Sequence, residues 1–215
     1  PKAVQSVLAK AQLKVVYPQP TRGLCCGQPF RSKGHNQVAD RMMNEVLDAL
    51  WEVSSGGRYP VLSDTSPCAL QLKEAAKKRG IHLYDSTEFI DRFLMNRLHV
   101  EPEQRPVAVH VTCSTQKQGI EKNFLRVLDR LTPNWVQPTD ISCCGFAGDK
   151  GFTQPELNAS ALKGLATQTR ECEYGISTSR TCEIGLSKHS GLTYYSLFEI
   201  LDKRSKTFPD LEGAE

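Results

Sequence analysis

The stretches YPQPTRGLCCG (residues 17–27) and WVQPTDISCCG (residues 135–145) carry the same pattern. Each reads Gln-Pro-Thr, then three other residues, then Cys-Cys-Gly, and the two copies lie 118 positions apart. A pattern of this length that recurs within a chain of 215 residues predicts two copies of one structural unit. The vicinal cysteines are the most distinctive shared feature, and they direct attention to the other cysteines.

Each copy has a further cysteine downstream, in a stretch rich in Ser and Thr. Cys68 in SDTSPCALQL follows Cys26 by 42 residues, and Cys182 in STSRTCEIGL follows Cys144 by 38 residues. The repeated unit is therefore Cys-Cys-Gly, a spacer of about forty residues, and one more cysteine.

The second copy also has an upstream cysteine. Cys113 in VAVHVTCSTQ lies 30 residues before Cys143. At the offset of 118 positions, its counterpart would fall before Pro1. We therefore expect the chain to be part of a longer protein that has a cysteine shortly before Pro1.

The overall composition is that of a water-soluble globular protein. Hydrophobic residues make up 39% of the chain and charged residues 24%, and 215 residues are enough to bury a core. A net charge of +3, without a basic run interleaved with aromatic residues, argues against nucleic acid as a partner. No apolar stretch approaches the roughly 20 residues of a transmembrane helix, so no membrane span is expected.

The cysteine count is unusual for such a chain, and it admits more than one kind of chemistry. The eight cysteines are Cys25, Cys26, Cys68, Cys113, Cys143, Cys144, Cys172 and Cys182. A disulfide scaffold is typical of small secreted proteins, and we expect no secretion signal here. Vicinal cysteines also fit ordinary disulfide geometry poorly. Metal binding or redox chemistry in a reducing compartment is the favoured interpretation.

Predicted strands and helices alternate along the chain. Strands are expected at residues 59–64, 81–85, 105–112, 134–139 and 174–179. Helices are expected at residues 35–50, from Ser66 onward, and at 87–98, 120–131 and 153–167, the last with a capping box in TQPE. The predicted fold class is α/β, with two pseudo-repeated three-layer-like halves and mainly parallel sheets. We divide the chain into a first repeat at 1–100, a second at 101–205 and a C-terminal tail at 206–215.

Four of the cysteines follow predicted strands. Cys113, Cys143, Cys144 and Cys182 each come after the end of a strand, and ligands of parallel α/β sheets gather at the carboxyl ends of the strands. The sequence therefore predicts that these four thiols converge at one edge of a sheet.

Four thiolates are the usual ligands of an iron–sulfur cluster and also of structural zinc. The chain lacks the short C-x2–4-C spacing of zinc knuckles, which favours a cluster, while zinc and thiol redox chemistry stay open. We expect the glycine after each pair to let the backbone approach the metal centre. Helix N-termini at Cys68 and Cys182 should favour their thiolate forms.

Four stretches together resemble a known family: HVTCSTQKQG, SCCGFAGDKGF, PELNASAL and STSRTCEIGLS. They are similar to the cysteine-rich CCG domain, which also occurs in heterodisulfide reductase. The resemblance is closest to the C-terminal iron–sulfur region of bacterial FAD-linked D-lactate dehydrogenases. In that family a flavin domain and a ferredoxin-like segment precede the CCG region of the same chain.

The resemblance implies an electron path from FAD, which oxidises a D-2-hydroxy acid, to a quinone or cytochrome. It implies a [4Fe-4S] cluster on Cys113, Cys143, Cys144 and Cys182, and a second site whose three ligands are Cys25, Cys26 and Cys68. Thr65 and Ser179 stand where the fuller family pattern has another cysteine, which leaves the cluster type open. The chain would then be an electron-transfer module without catalysis of its own, in the cytoplasm or at the inner membrane surface.

Several further residues have mainly structural interpretations. Cys172 precedes a strand, so we expect a buried or incidental thiol. His110 is expected to pack in the core, and the alternative is a hydrogen bond to a cluster sulfur. His189 is expected near the C-terminus of a helix.

Three polar residues complete the predictions from the sequence. Lys33 and Lys150 occupy matched positions after Cys-Cys-Gly, and we expect surface lysines, with counter-charges for an anionic centre as the alternative. Asp85 is expected to cap the N-terminus of a helix.

Overall fold

Helices and strands alternate through the computed structural model, which describes residues 2–19 and 23–208. In chain order the elements are α1 (Lys2–Lys10), α2 (Gln28–Arg31), α3 (Asn36–Val53), β1 (Val61–Ser63), α4 (Ser66–Lys78), β2 (Leu83–Asp85), α5 (Ser86–Phe89) with a π-helical turn (Ile90–Leu94), β3 (Leu98–Val100), β4 (Val107–Val109), α6 (Cys113–Gln118), α7 (Glu121–Leu131), β5 (Trp135–Val136), α8 (Lys150–Thr153), α9 (Pro155–Ala161), α10 (Leu165–Gln168), β6 (Gly175–Ser177), α11 (Arg180–Ser190), β7 (Tyr194–Ser196), α12 (Leu197–Arg204) and β8 (Ser205–Thr207).

The sheets are mainly parallel, which confirms the predicted fold class. Strands β5-β4-β6-β7 form a parallel sheet in the second half, and β1-β2 form a parallel pair in the first half. The antiparallel pair β3-β8 joins the two halves. None of the helices in the described ranges is both long and apolar enough to cross a membrane.

Local sequence explains the central elements of the second half. Every residue of β4 is fully buried, as expected for an apolar, largely β-branched run at the centre of a parallel sheet. Helix α7 buries Phe124, Val127, Leu128 and Leu131, whose spacing of three and four residues makes one apolar stripe.

The repeat extends beyond the cysteines. The order β1-α4-β2-α5-β3 in the first half matches β6-α11-β7-α12-β8 in the second. Both α5 and α12 begin with a capping box, formed by Asp85 and Glu88 in the first half and by Ser196 and Glu199 in the second. This confirms the expected capping role of Asp85.

The two halves share one hydrophobic core. Helix α1 packs on α12, and α7 packs on α5 and the π-helical turn. Leu8, Leu94, Phe124 and Leu201 belong to the same buried cluster. The boundary between residues 100 and 101 stays a prediction that follows the sequence repeat, while the core crosses it.

Two predicted helices are shorter than expected. The helix predicted at 153–167 is divided into α9 and α10, because Gly164 adopts φ +85°, and the expected capping box is absent. The Thr153 hydroxyl instead donates to the Lys150 carbonyl within α8. The helix predicted at 87–98 ends at Leu94, and β3 begins at Leu98.

The predicted tail begins inside a strand. Lys206 and Thr207 belong to β8 and pair with His99 and Leu98, so the beginning of the segment 206–215 is part of a sheet. Residues 209–215 of that prediction lie outside the described residues.

Candidate metal centre

The four thiols of the second copy lie at the carboxyl ends of neighbouring strands. Cys113 begins α6 after β4, and Cys182 lies in the first turn of α11 after β6. The loop after β5 carries Cys143 and Cys144. The Sγ atoms of Cys144 and Cys182 are 2.8 Å apart, although 38 residues separate them in the chain.

The other two thiols are close to this pair and nearer to solvent. Burial and the negative charges of Cys143 and Cys144 raise the pKa of Cys113. Cys113 and Cys143 are exposed, while Cys144 and Cys182 are buried. The structure thus brings two thiols together inside the protein and leaves the other two at the surface beside the ends of the same sheet.

The first copy has the same arrangement with one thiol fewer. The Sγ atoms of Cys26 and Cys68 lie 3.1 Å apart, and Cys68 occupies the first turn of α4. Cys25 is half-buried beside this pair. All eight cysteines are free, as expected from the vicinal spacing.

Buried hydroxyls connect the strand ends that carry the second site. Thr112 is the N-cap of α6, and its hydroxyl lies 2.8 Å from that of Thr178, which follows β6. The Thr115 hydroxyl contacts both. This hydrogen-bonded cluster fixes the loops of Cys113 and Cys182 relative to each other, and no sequence pattern predicted it.

The glycine of each Cys-Cys-Gly segment has a packing role that the sequence did not predict. Gly27 and Gly145 adopt φ +82° and +68°, in the left-handed region that favours glycine. A Cβ at Gly145 would lie 2.6 Å from the Leu157 carbonyl oxygen, and a Cβ at Gly27 would overlap the Ala39 carbonyl oxygen. Both glycines therefore permit close packing on a helix, and the expected approach of the backbone to a metal centre stays a prediction.

In each copy one thiol of the buried pair is stabilised as a thiolate. The hydrogen bond between the sulfurs of Cys26 and Cys68 lowers the pKa of Cys26 to about 6, and the one between Cys144 and Cys182 lowers the pKa of Cys144 to about 7. The same hydrogen bonds raise the pKa values of Cys68 and Cys182. Helix N-termini are expected to favour thiolate at Cys68 and Cys182, but the paired sulfur and burial outweigh that effect and raise both pKa values.

His110 adjoins the second site. A ring nitrogen of His110 and the Sγ atoms of Cys144 and Cys182 all lie within 4.8 Å of one another, and all three residues are buried. Core packing is the role that the sequence favours for this residue, and the structure places it in the core directly beside the sulfurs.

Two polar residues near the pair have defined contacts. Asn158 on α9 is buried and donates from Nδ2 to the Cys144 carbonyl, which ties α9 to the cysteine loop. It lies in the quoted stretch PELNASAL, but nothing in its spacing identified this role. Ser179 is the N-cap residue of α11, and a hydrogen bond with its side chain lowers the pKa of Cys182. The hydrogen bond with Cys144 and burial have larger effects, so the pKa of Cys182 is raised overall.

The remaining predicted residues take no part in the close sulfur pairs. Cys172 is buried, and desolvation raises its thiol pKa, which fits the expected buried thiol. His189 lies in the last turn of α11, as expected. Lys33 is exposed and its Nζ lies 2.7 Å from the Asp149 Oδ2, while Lys150 begins α8 at the surface.

The second site fits a thiolate-ligated metal centre. Two buried and two more exposed thiols from three strand ends form a soft donor set of the kind that zinc and iron–sulfur clusters take. Two thiolates on one tetrahedral zinc ion lie about 3.8 Å apart, so metal binding requires the Cys144–Cys182 pair to lose its proton and separate by about 1 Å.

Comparison with known proteins assigns the chain to a family. The model of the cysteine-rich domain named CCG matches residues 1–73 and 107–187, which include all eight cysteines and both Cys-Cys-Gly segments. The chain belongs to this family.

Three relatives share low but extended identity. Lactate utilization protein A of Oceanobacillus iheyensis is 24% identical over 181 residues, covering 76% of this chain and 72% of the relative. Its namesake in Bacillus cereus (strain G9842) is 24% identical over 158 residues, covering 68% and 65%. An uncharacterized iron–sulfur protein of Methanocaldococcus jannaschii is 23% identical over 139 residues, covering 64% of this chain but 27% of the relative.

Proposed function

We propose that this CCG-family chain is an electron-transfer module that holds an iron–sulfur cluster on Cys113, Cys143, Cys144 and Cys182. The observation that carries the proposal is the convergence of these thiols at the carboxyl edge of one parallel sheet. The relative described as an iron–sulfur protein supports the choice of metal.

The protein provides a dry and rigid environment on one side of the site. Cys144 and Cys182 belong to a buried apolar cluster with Ile141, Phe146 and Leu186. The Gly145 N–H donates to the Cys143 sulfur at 3.3 Å. When bound, a cluster supplies reversible one-electron chemistry, and hydrogen bonds to sulfur together with burial set its potential.

The first copy is proposed as a second site that needs one more donor. Cys25, Cys26 and Cys68 supply three thiols in the same arrangement, and the Gly27 N–H donates to the Cys25 sulfur at 3.4 Å. A fourth ligand would come from outside the described residues or from an exogenous thiol.

We place the module in an FAD-linked oxidoreductase that oxidises a D-2-hydroxy acid such as D-lactate. The names of two relatives support a link to lactate use. The flavin and ferredoxin-like domains of the same parent chain would deliver electrons, and a quinone or cytochrome would accept them. This function is compatible with the cytoplasm or the inner membrane surface.

The test is the content of iron, zinc and acid-labile sulfide in anaerobically purified chain, with a visible spectrum. We expect about four iron and four sulfide per occupied site, and reoxidation of the dithionite-reduced chain by a soluble quinone. Cys144→Ser should abolish iron binding at the second site. Cys172→Ser, which removes another buried thiol, is the matched control and should leave the iron content unchanged. Zinc without sulfide would refute the proposal and indicate a structural module.

A second candidate function is thiol–disulfide exchange. The favouring observation is the close pairing of Cys26 with Cys68 and of Cys144 with Cys182, each with one thiol pKa lowered to about 6 or 7. A thiolate beside a second thiol is the arrangement that attacks and then resolves a mixed disulfide. Metal-free chain that reduces a small disulfide at a rate abolished by Cys144→Ser would favour this function.

A further inference from the structure

His110 is a buried polar side chain without a partner. It follows β4, and its backbone N–H donates to the Ile176 carbonyl at 3.0 Å, which holds the residue in the sheet. The side chain is 4% exposed, and Nε2 has no hydrogen-bond partner among the described residues. Buried polar atoms are nearly always paired, so an orphan nitrogen at this depth calls for a ligand.

The side chain of His110 lies beside the sulfurs of Cys144 and Cys182. His110 lies two positions after Ala108, on the same face of the chain, and Ala108 belongs to the apolar cluster that contains Cys144 and Cys182. A ring nitrogen lies within 4.8 Å of both sulfurs. The imidazole and the buried thiols of Cys144 and Cys182 therefore meet at one point.

The imidazole of His110 has the donor chemistry that coordination needs. In the neutral form one ring nitrogen has a free lone pair. Neutral imidazole is a ligand of both zinc and iron centres.

We propose that His110 is a metal ligand of the second site, where a ring nitrogen coordinates on the buried side together with Cys144 and Cys182. This inference rests on the proposed function, since it concerns the same metal centre. It adds one imidazole to the four thiols of the proposed function, so that the donor set contains both sulfur and nitrogen. The exposed thiols of Cys113 and Cys143 lie on the solvent side.

The test detects histidine nitrogen at the metal directly. The chain is produced with ¹⁵N-histidine, purified anaerobically and reduced, and pulsed electron paramagnetic resonance measures nitrogen hyperfine coupling. We expect a strong coupling from a directly bound histidine in the wild-type chain, and its loss in His110→Gln. His189→Gln is the matched control, because His189 Nε2 is also buried and unpartnered but His189 is not part of the buried cluster of sulfurs.

The outcomes separate this inference from the proposed function. Iron and sulfide without histidine coupling in the wild-type chain would overturn the role of His110 and leave the cluster standing. This result is measured on the wild-type chain alone, so the test is still valid if His110→Gln does not fold. If the chain holds zinc instead, the proposed function fails but the role of His110 can still be tested. X-ray absorption then shows whether the zinc has a nitrogen ligand in the wild-type chain that is lost in His110→Gln. A chain that binds neither metal overturns both.

Discussion

Replacing Gly145 by alanine should damage the second site through the helix behind it. The residue adopts φ +68°, where an L side chain costs about 1–2 kcal/mol. The new Cβ would also lie 2.6 Å from the Leu157 carbonyl oxygen, and overpacking of this kind costs about 1–3 kcal/mol. We therefore expect the free energy of unfolding to fall by about 2–5 kcal/mol.

Gly164→Ala separates the two contributions. Gly164 adopts φ +85°, but a Cβ there meets no atom within 4 Å, so only the backbone cost of about 1–2 kcal/mol applies. Gly145→Ala should also displace α9, whose Asn158 donates to the Cys144 carbonyl, and so move a proposed ligand. Gly145→Ala should thus reduce iron per chain, and Gly164→Ala should not.

Urea denaturation followed by circular dichroism measures both free energies, and iron analysis measures the site. The linear dependence on urea gives each variant a midpoint and a slope. Equal destabilisation of the two variants, with equal iron content, would refute the packing role of Gly145. It would also show that α9 can move away from the cysteine loop at no cost.

Three further changes test other parts of the molecule. Asp85→Ala removes the N-cap of α5, whose side chain accepts from the Thr87 N–H at 2.8 Å, and should lower the free energy of unfolding by about 1 kcal/mol in urea denaturation. Arg204→Ala removes a charged partner of the buried Glu103 carboxylate and should cost about 1.5–3 kcal/mol by the same measurement, with no change in iron content. Diamide treatment of metal-free chain should form two intrachain disulfides, Cys26–Cys68 and Cys144–Cys182, which peptide mass mapping detects. Metal loading should prevent the second of them, because its sulfurs are then occupied.

The strand ends and the convergence of thiols can be predicted from the sequence because both follow from local patterns. The apolar run around β4 identifies a buried strand, and parallel strands bring their carboxyl ends to one edge. The role of His110 depends on the cysteines that reach it from the segments after β5 and β6. A local sequence pattern does not contain this information. His110 does lie two positions after Ala108, so strand alternation places both on the same face of the sheet. Ala108 packs in the apolar cluster that contains Cys144 and Cys182.

Two features that the sequence did not reveal depend on contacts between distant parts of the chain. The glycine of each Cys-Cys-Gly segment is explained by a helix that packs on it from elsewhere in the chain, Ala39 in one copy and Leu157 in the other. The core shared by α1 and α12 joins residues more than 190 positions apart, such as Lys10 and Asp202 at 2.8 Å. The break at Gly164, by contrast, is local, and a glycine within a predicted helix was sufficient reason to divide it.

The duplication has a consequence for electron transfer, because the two Cys-Cys-Gly segments lie near each other. Lys33 follows the first segment and Asp149 the second, and their charged atoms are 2.7 Å apart. Both side chains are exposed, so the pair contributes little stability, but it shows that the two candidate sites share one side of the molecule. Within the second site, the buried thiols would keep the centre dry, and the exposed Cys113 and Cys143 would form the edge where a donor or acceptor domain docks. An exposed edge of this kind suits the electron-transfer role proposed above, because a redox partner has to approach the centre closely.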